Sequence, residues 1–358
     1  MSDSSDIWND YDDDDFINDS PYTTQEEVEK QYKIKNKKQP KYPKRDPSML
    51  IHDSSNYVIN DLKDLIYLCQ YYAGIKYDVF QLFRLLTPLN DLNNLVGMDK
   101  LKNSVVDLVT YHISGLNEDT DEDFLHTILV GPPGTGKTTA AGILARIYLE
   151  LGCIESSKVI FAKRQDFIAE FVGHSESKTK KLIESAFGGV LFIDEAYSLG
   201  NGKDTDNFSK AAVDILNQYL SENRKDFICI IAGYERELKE NFFSLNPGLE
   251  RRFPWKFETS SYKENELEEI FSIKLRSCGW FCEKDIMKGI FSNKDDYPMA
   301  GGSIENLLTC CKFVHSRRIF CNDSVKKVLS RSDMEKGLKR YKENFKDKTE
   351  FKFSMMYI

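Results

Sequence analysis

Residues 131–138 read Gly-Pro-Pro-Gly-Thr-Gly-Lys-Thr, which fits G-x-x-x-x-G-K-[ST]. Few eight-residue stretches restrict a fold so tightly, because the pattern works only between a buried strand and the first turn of a helix. The flanks meet that demand. Phe124 to Val130 is a strand candidate, and Thr138 to Glu150 has helical spacing. Gly131, Gly134 and Gly136 let the loop wrap so that its N–H groups converge on phosphate oxygens. The following helix directs its positive end at the same anion. In such a loop Lys137 supplies a point charge to the β and γ phosphates of a nucleoside triphosphate. Thr138 offers its hydroxyl to Mg²⁺. Pro132, Pro133, Thr135 and Thr139 complete the expected binding stretch. A glycine-rich turn that binds nothing is the plain alternative. The bare pattern arises by chance in roughly one chain of this length in a hundred, and correct flanks reduce that further.

The surrounding pattern alternates. Strand-like apolar runs occur at 125–130, 158–162, 190–193, 227–232 and 255–258, separated by amphipathic stretches at 137–151, 176–187 and 207–222. Strands alternating with helices predict an α/β fold: a parallel five-stranded sheet covered by helices on both faces. After 262 strand signals stop, and helices near 263–276, 284–291, 303–319 and 333–345 predict a small all-helical second unit. Before the sheet, 57–87 reads as a helical pair interrupted at Gly74 and ended by Pro88, and 93–115 as a further helix. The expected domains are a disordered arm over 1–48, a helical segment over 49–90, a large domain over 91–260, a helical lid over 261–350 and a tail over 351–358.

Val190-Leu191-Phe192-Ile193-Asp194-Glu195 is an apolar run ending in two carboxylates. Ligands bind at the carboxyl ends of strands in open parallel sheets. There Asp194 would contact the Mg²⁺ hydration shell, and Glu195 would orient the attacking water.

Charge separates the arm from the rest. Residues 1–29 hold only acids among their charged residues, and 30–45 only bases, within a chain of net charge -8. Such composition cannot offset its ordering entropy by burial. Ile7, Trp8, Tyr11, Phe16 and Ile17 are interleaved with the acids. They suit a docking motif that folds on a partner, or a plain solvated tail. The mildly acidic remainder argues against nucleic acid as the main partner, although the 30–45 run could bind phosphates. None of the eight cysteines forms C-x-x-C, which points to reduced thiols rather than zinc or disulfides. No membrane span, secretory leader or transit peptide is legible. The expected location is a soluble, reducing compartment: cytoplasm, nucleus, or virion and host cytoplasm.

Taken together these motifs resemble the AAA+ ATPases. Within them the chain is most similar to the CbbX/stage V sporulation protein K family, which includes red-type rubisco activases. The likeness covers about 91–345. Leu95-Val96-Gly97-Met98 resembles the family's leading segment, which implies that Val96 and Gly97 lie against adenine. Glu170-Phe171-Val172-Gly173-His174-Ser175 resembles its first pore loop, in which Phe171, Val172 and Gly173 would grip a polypeptide by packing. Asp194-Glu195-Ala196-Tyr197-Ser198-Leu199 resembles its Walker B stretch. Ala232-Gly233-Tyr234 is similar to sensor 1, and Asn246 to Phe253 to the arginine-finger segment. The likeness implies that Arg252, with Arg251 as the adjacent alternative, reaches a neighbour's γ-phosphate. Two departures stand out. Tyr234 replaces the usual polar sensor 1 residue. The lid stretch Ala300-Gly301-Gly302-Ser303-Ile304-Glu305-Asn306 lacks the usual arginine, leaving Gly301 and Ile304 to close on the adenine side.

The resemblance implies an ATP- and Mg²⁺-dependent ring, a homo-hexamer, that pulls on an unknown client protein. A nucleic-acid motor or clamp-loader type is the competing expectation. A nucleotide-gated scaffold with little turnover is another.

Overall fold

In the computed structural model, residues 47–116, 124–168, 174–200, 207–283, 286–320 and 327–355 are described, and from 345 onward the backbone alone. The pore-loop residues Phe171, Val172 and Gly173 and the arm up to residue 46 lie outside the described residues.

Five parallel strands form the central sheet: β1 (Thr127–Val130), β2 (Val159–Ala162), β3 (Val190–Ile193), β4 (Ile228–Gly233) and β5 (Trp255–Glu258), in the order β2-β3-β4-β1-β5. All five expected strands are present. Side chains alternate between the faces, and both faces are covered. Leu129, Val190, Phe192, Ile230 and Phe257 belong to one core, and Ile128, Leu191, Ile193, Cys229 and Ile231 to the other. Burial on both sides explains why the strands read as unbroken apolar runs rather than as alternating ones.

The first core is built by α1 (Leu62–Tyr71), α2 (Val79–Asn93), α3 (Asp99–Ile113) and α4 (Lys137–Glu150). Asp61 caps α1, accepting from the amides of Lys63 and Asp64, and Asp78 caps α2 through Phe80. The second core is covered by α5 (His174–Ser185) and α6 (Asn207–Glu222). The lid follows, with α7 (Glu264–Ser277), α8 (Gly301–Ile319) and α9 (Arg331–Met355). Its apolar residues Leu267, Ile270, Phe271, Ile304 and Leu307 join the first core, so lid and sheet share one apolar body.

Three expectations change. Pro88 does not end its helix; α2 runs through it to Asn93. An interior proline costs about 3 kcal/mol. Fully burying Leu89 and Leu92 beyond it recovers about 1.5–3 kcal/mol each. The helix expected at 284–291 is a turn where described, because Gly289 adopts a positive φ of 81°. The lid also carries a short parallel pair, β6 (Phe281–Cys282) with β7 (Val328–Leu329). Among the described residues no helix is long and apolar enough to cross a membrane.

Candidate functional site

Strand register brings the motifs together. Val130, the last residue of β1, is level with Gly233 at the end of β4, and Ile193 at the end of β3 is level with Ile231. The residues that follow, Gly131 after β1, Asp194 after β3 and Tyr234 after β4, therefore emerge at one edge of the sheet.

The loop from Gly131 to Gly136 is shaped by contacts that exclude larger residues. A Cβ on Gly131 would stand 2.0 Å from Thr259 Oγ1, and one on Gly134 2.0 Å from Met299 O. The Thr135 hydroxyl donates to Pro132 O at 2.8 Å and lies 2.7 Å from Thr259 Oγ1. The Tyr262 hydroxyl donates to Thr135 O at 3.1 Å. Gly136 starts α4 in the left-handed region with no side-chain cap, so the first-turn amides keep their donors for a ligand.

Lys137 Nζ donates to Gly131 O at 3.0 Å and Pro132 O at 2.8 Å. It also lies 5.7 Å from the Tyr234 ring centre. Burial pushes the Lys137 ammonium below its ordinary pKa, and Asp194 and Glu195 push it back. The Asp194 carboxyl is raised by burial, and Lys137 opposes the rise. Glu195 is a non-glycine residue at φ 49° and ψ 46°, a conformation that costs about 1–3 kcal/mol and turns the chain at the strand end. The Tyr197 side chain hydrogen-bonds Glu195; burial first, then Glu195, raises its phenol pKa. The Tyr197 and Tyr234 rings lie 5.7 Å apart.

Lys137, Asp194, Glu195, Tyr197 and Tyr234 line one cleft of about 510 Å³, whereas Gly131, Pro132 and Thr135 shape the loop behind it without lining it. Its wall includes Pro133, Gly134, Gly136, Lys137, Thr138 and Thr139. The strand ends contribute Asp194, Glu195 and Tyr234. The lid completes it with Tyr262, Ile270, Lys274, Gly301, Gly302 and Glu305. Gly301 N–H donates to Gly134 O at 3.0 Å, a direct tie between lid and loop.

Not every expected residue converges there. Val96 and Gly97 line a second cleft of about 1110 Å³, with Asp61, Asp99, Lys102 and Arg276. Ile304 is fully buried and packs in the core instead of lining either cleft. Arg252 is half-buried beyond the far end of β4. Its Nε donates to Ser221 Oγ at 2.5 Å and its Nη1 to Gly248 O, while Arg251 is exposed. Tyr262, Lys274, Glu305 and Thr259 were not anticipated. They come from the end of β5, the connection after it and two lid helices far along the chain, and no local motif marks them.

The profile of the AAA family (ATPase family associated with various cellular activities) matches residues 127–260. The chain is 36% identical over 273 residues to the cfxQ-like protein R730 of Acanthamoeba polyphaga mimivirus, covering 75% of this chain and 67% of that protein. It is 37% identical over 187 residues to stage V sporulation protein K of Bacillus subtilis, covering 50% and 57%. To the chloroplastic ribulose bisphosphate carboxylase/oxygenase activase of Cyanidioschyzon merolae it is 32% identical over 245 residues, covering 64% and 77%. The phosphate loop after β1 and this similarity make the chain a member of the AAA+ ATPases, in the branch that holds CbbX and stage V sporulation protein K.

Proposed function

We propose that the chain binds ATP in the cleft between the phosphate loop and the lid, hydrolyses it, and uses the cycle to remodel a client protein within a ring of copies. One observation carries this reading: three strand ends deliver Lys137, Asp194, Glu195 and Tyr234 to a single cleft that the lid closes. The residues fit the group. Uncapped amides and Lys137 suit phosphate oxygens. Thr138 and Asp194 are hard oxygen donors of the kind that hold Mg²⁺, which when bound offsets charge on the phosphates. Glu195 stands at the strand end, where its carboxylate can orient water and accept its proton. Tyr197 steadies that carboxylate.

Arg252 would act on the nucleotide of an adjacent copy. Its Nε and Nη1 are committed to Ser221 and Gly248, which fixes the guanidinium fork. Phe171, Val172 and Gly173 would hold the client. Support for a protein client comes from relatives: one is named an activase of an enzyme, another a component of the ESX-1 secretion system.

The test is Glu195→Gln. This variant is expected to bind a fluorescent ATP analogue normally, to release phosphate at least a hundredfold more slowly, and to co-purify with its client. Unchanged phosphate release would overturn the catalytic assignment. Turnover stimulated by DNA, lost at high salt, would point to a nucleic-acid motor instead.

A further inference from the structure

The second half of α8 carries two phenylalanines into solvent. Phe313 is 51% exposed and Phe320 88%. They stand two turns apart with the exposed Arg317 between them, so one helix face presents all three. Helix α9 widens that face. It runs antiparallel to α8, since Gly337 packs on Cys311 and Asp333 meets His315. Its Arg340 guanidinium lies 5.3 Å from the Phe313 ring centre. One turn further towards Arg317, α9 carries the exposed Lys336, and Lys339 is exposed beside Arg340. Two aromatic rings are thus set among cations, towards the opposite end of α8 from Gly301, Gly302 and Glu305, which line the Lys137 cleft.

The charge of this face is not balanced on the spot. Among the described residues, Arg331 and Lys342 of α9 pair with Glu335 and Asp296, whereas no carboxylate pairs with Arg317, Lys336 or Lys339. Glu343, one turn past Arg340, is the acid on this side of α9. A single exposed Phe needs no explanation. Two rings with a surplus of cations, in a chain of net charge -8, suit an anionic partner that brings apolar side chains of its own.

The chain contains such a segment. Residues 3–19 hold aspartates and no Lys or Arg, interleaved with Ile7, Trp8, Tyr11, Phe16 and Ile17. Rings can pack on Phe313 and Phe320, and carboxylates can pair with Arg and Lys. The arm enters the described body at Pro47, close to Ile51, which pairs with Tyr72 just after α1. The other end of α1, at Asp61 and Leu62, shares a cleft with Glu269, Ile273 and Arg276 of the lid. That helix is about 15 Å long, whereas the connecting residues 20–46 can span up to about 90 Å. Tethering gives the segment an effective concentration on the order of millimolar, an advantage that no free polyanion shares.

We propose that residues 3–19 dock on the Phe313–Phe320 face of the lid of their own chain. The basic run at 30–45 then serves as part of the tether.

The experiment is carbodiimide cross-linking of the full chain, which joins carboxylates to lysine amines in contact, with the linked peptides read by mass spectrometry. Asp12 to Asp15 are expected to link to Lys336 or Lys339, and 0.5 M salt should reduce these links at least fivefold. In a mixture of ¹⁵N-labelled and unlabelled protein, both ends of each link should carry the same label. Two double variants keep the reporter lysines: Phe313→Ser with Phe320→Ser, and Arg317→Glu with Arg340→Glu. Each should lose the links at least fivefold, and a melting temperature near that of the wild type would show that the lid remains folded. The salt and isotope readings on the wild type stand even if a variant does not fold. Links from the arm only to lysines between 30 and 44 would make it a self-paired tail and overturn the proposal. Links of mixed label would assign the face to a second copy and overturn it too. So would tight binding of single-stranded DNA to this face in the wild type, unchanged when Asp12 to Asp15 are all replaced by Asn, since the face would then be open to nucleic acid.

Discussion

His126 is fully buried just before β1, among the rings of Phe124, Phe227 and Phe253. Its Nδ1 accepts from the Cys229 amide at 3.1 Å, so Nε2 carries the proton and donates to Leu220 O at 3.1 Å. That tautomer is neutral. Burial lowers its pKa from 6.5 to about 4, and the nearby Arg252 adds to the effect. The folded chain thus resists a proton that the unfolded chain accepts. Its contribution is complete above pH 6.5 and falls as pH drops towards about 4, by roughly 3 kcal/mol in all. Urea midpoints of the wild type should decline more steeply over that window than those of His126→Gln; parallel slopes would remove the assignment. At Gly131 space decides. With Thr259 2.0 Å from any added Cβ, Gly131→Ala is expected to lose analogue binding and to melt several degrees lower. Normal binding by that variant would mean that the loop shape is not what matters. The glycines were legible as motif positions. Thr259, which makes Gly131 obligatory, was not, because it stands at the end of a strand more than a hundred residues away.

Among the elements, α9 shows how a helix start can serve a whole unit. Ser330 and Asp333 cap it reciprocally: the Ser330 amide donates to Asp333 Oδ2 at 3.0 Å, and the Asp333 amide to Ser330 Oγ at 3.3 Å. Asp333 also receives Arg318 Nε and Nη2 at 2.9 and 2.8 Å, and its Oδ2 lies 3.1 Å from His315 Nδ1. Burial alone would raise its pKa, but Arg318, the Ser330 amide and His315 hold it well below the carboxylate range. A depressed carboxyl stabilises above its unfolded pKa, and that stability is lost as pH falls through the folded value. Asp333→Ala would remove a buried carboxylate from Arg318 and His315 and leave the helix uncapped, for an expected loss of about 3 kcal/mol. Hydrogen exchange should show it first in α8 and α9; uniform protection would contradict this. Element type was largely readable from periodicity, as the five strands show. Element ends were less so. Pro88 is a strong local stop overruled by the burial of Leu89 and Leu92, and Gly289 is a weak local signal that broke the helix expected around it.

For the whole molecule, the central question is what one chain lacks. Arg252 lies away from the Lys137 cleft of its own chain, held by Ser221 and Gly248. If it acts between copies, hydrolysis per chain must rise with protein concentration, and Arg252→Ala must flatten that rise while leaving nucleotide binding intact. Arg251→Ala, at the exposed neighbour, should keep the rise. The opposite pair of results would transfer the role to Arg251. Because Arg252 also bonds its own chain, its variant should melt lower as well, whereas Arg251→Ala should not.

The sequence by itself determined the parallel sheet, the phosphate loop and the paired acids after β3, since each is a local pattern whose residues must be neighbours to work. Only the tertiary structure decided which of them meet. It set Val96 and Gly97 on a second cleft and placed Ile304 in the core. It also brought Tyr262, Lys274 and Glu305 onto the wall of the cleft that Lys137 lines. The physical reason is that the cleft forms where the lid packs against strand ends. That packing is fixed by apolar burial shared among distant segments, which leaves no short-range trace in the chain.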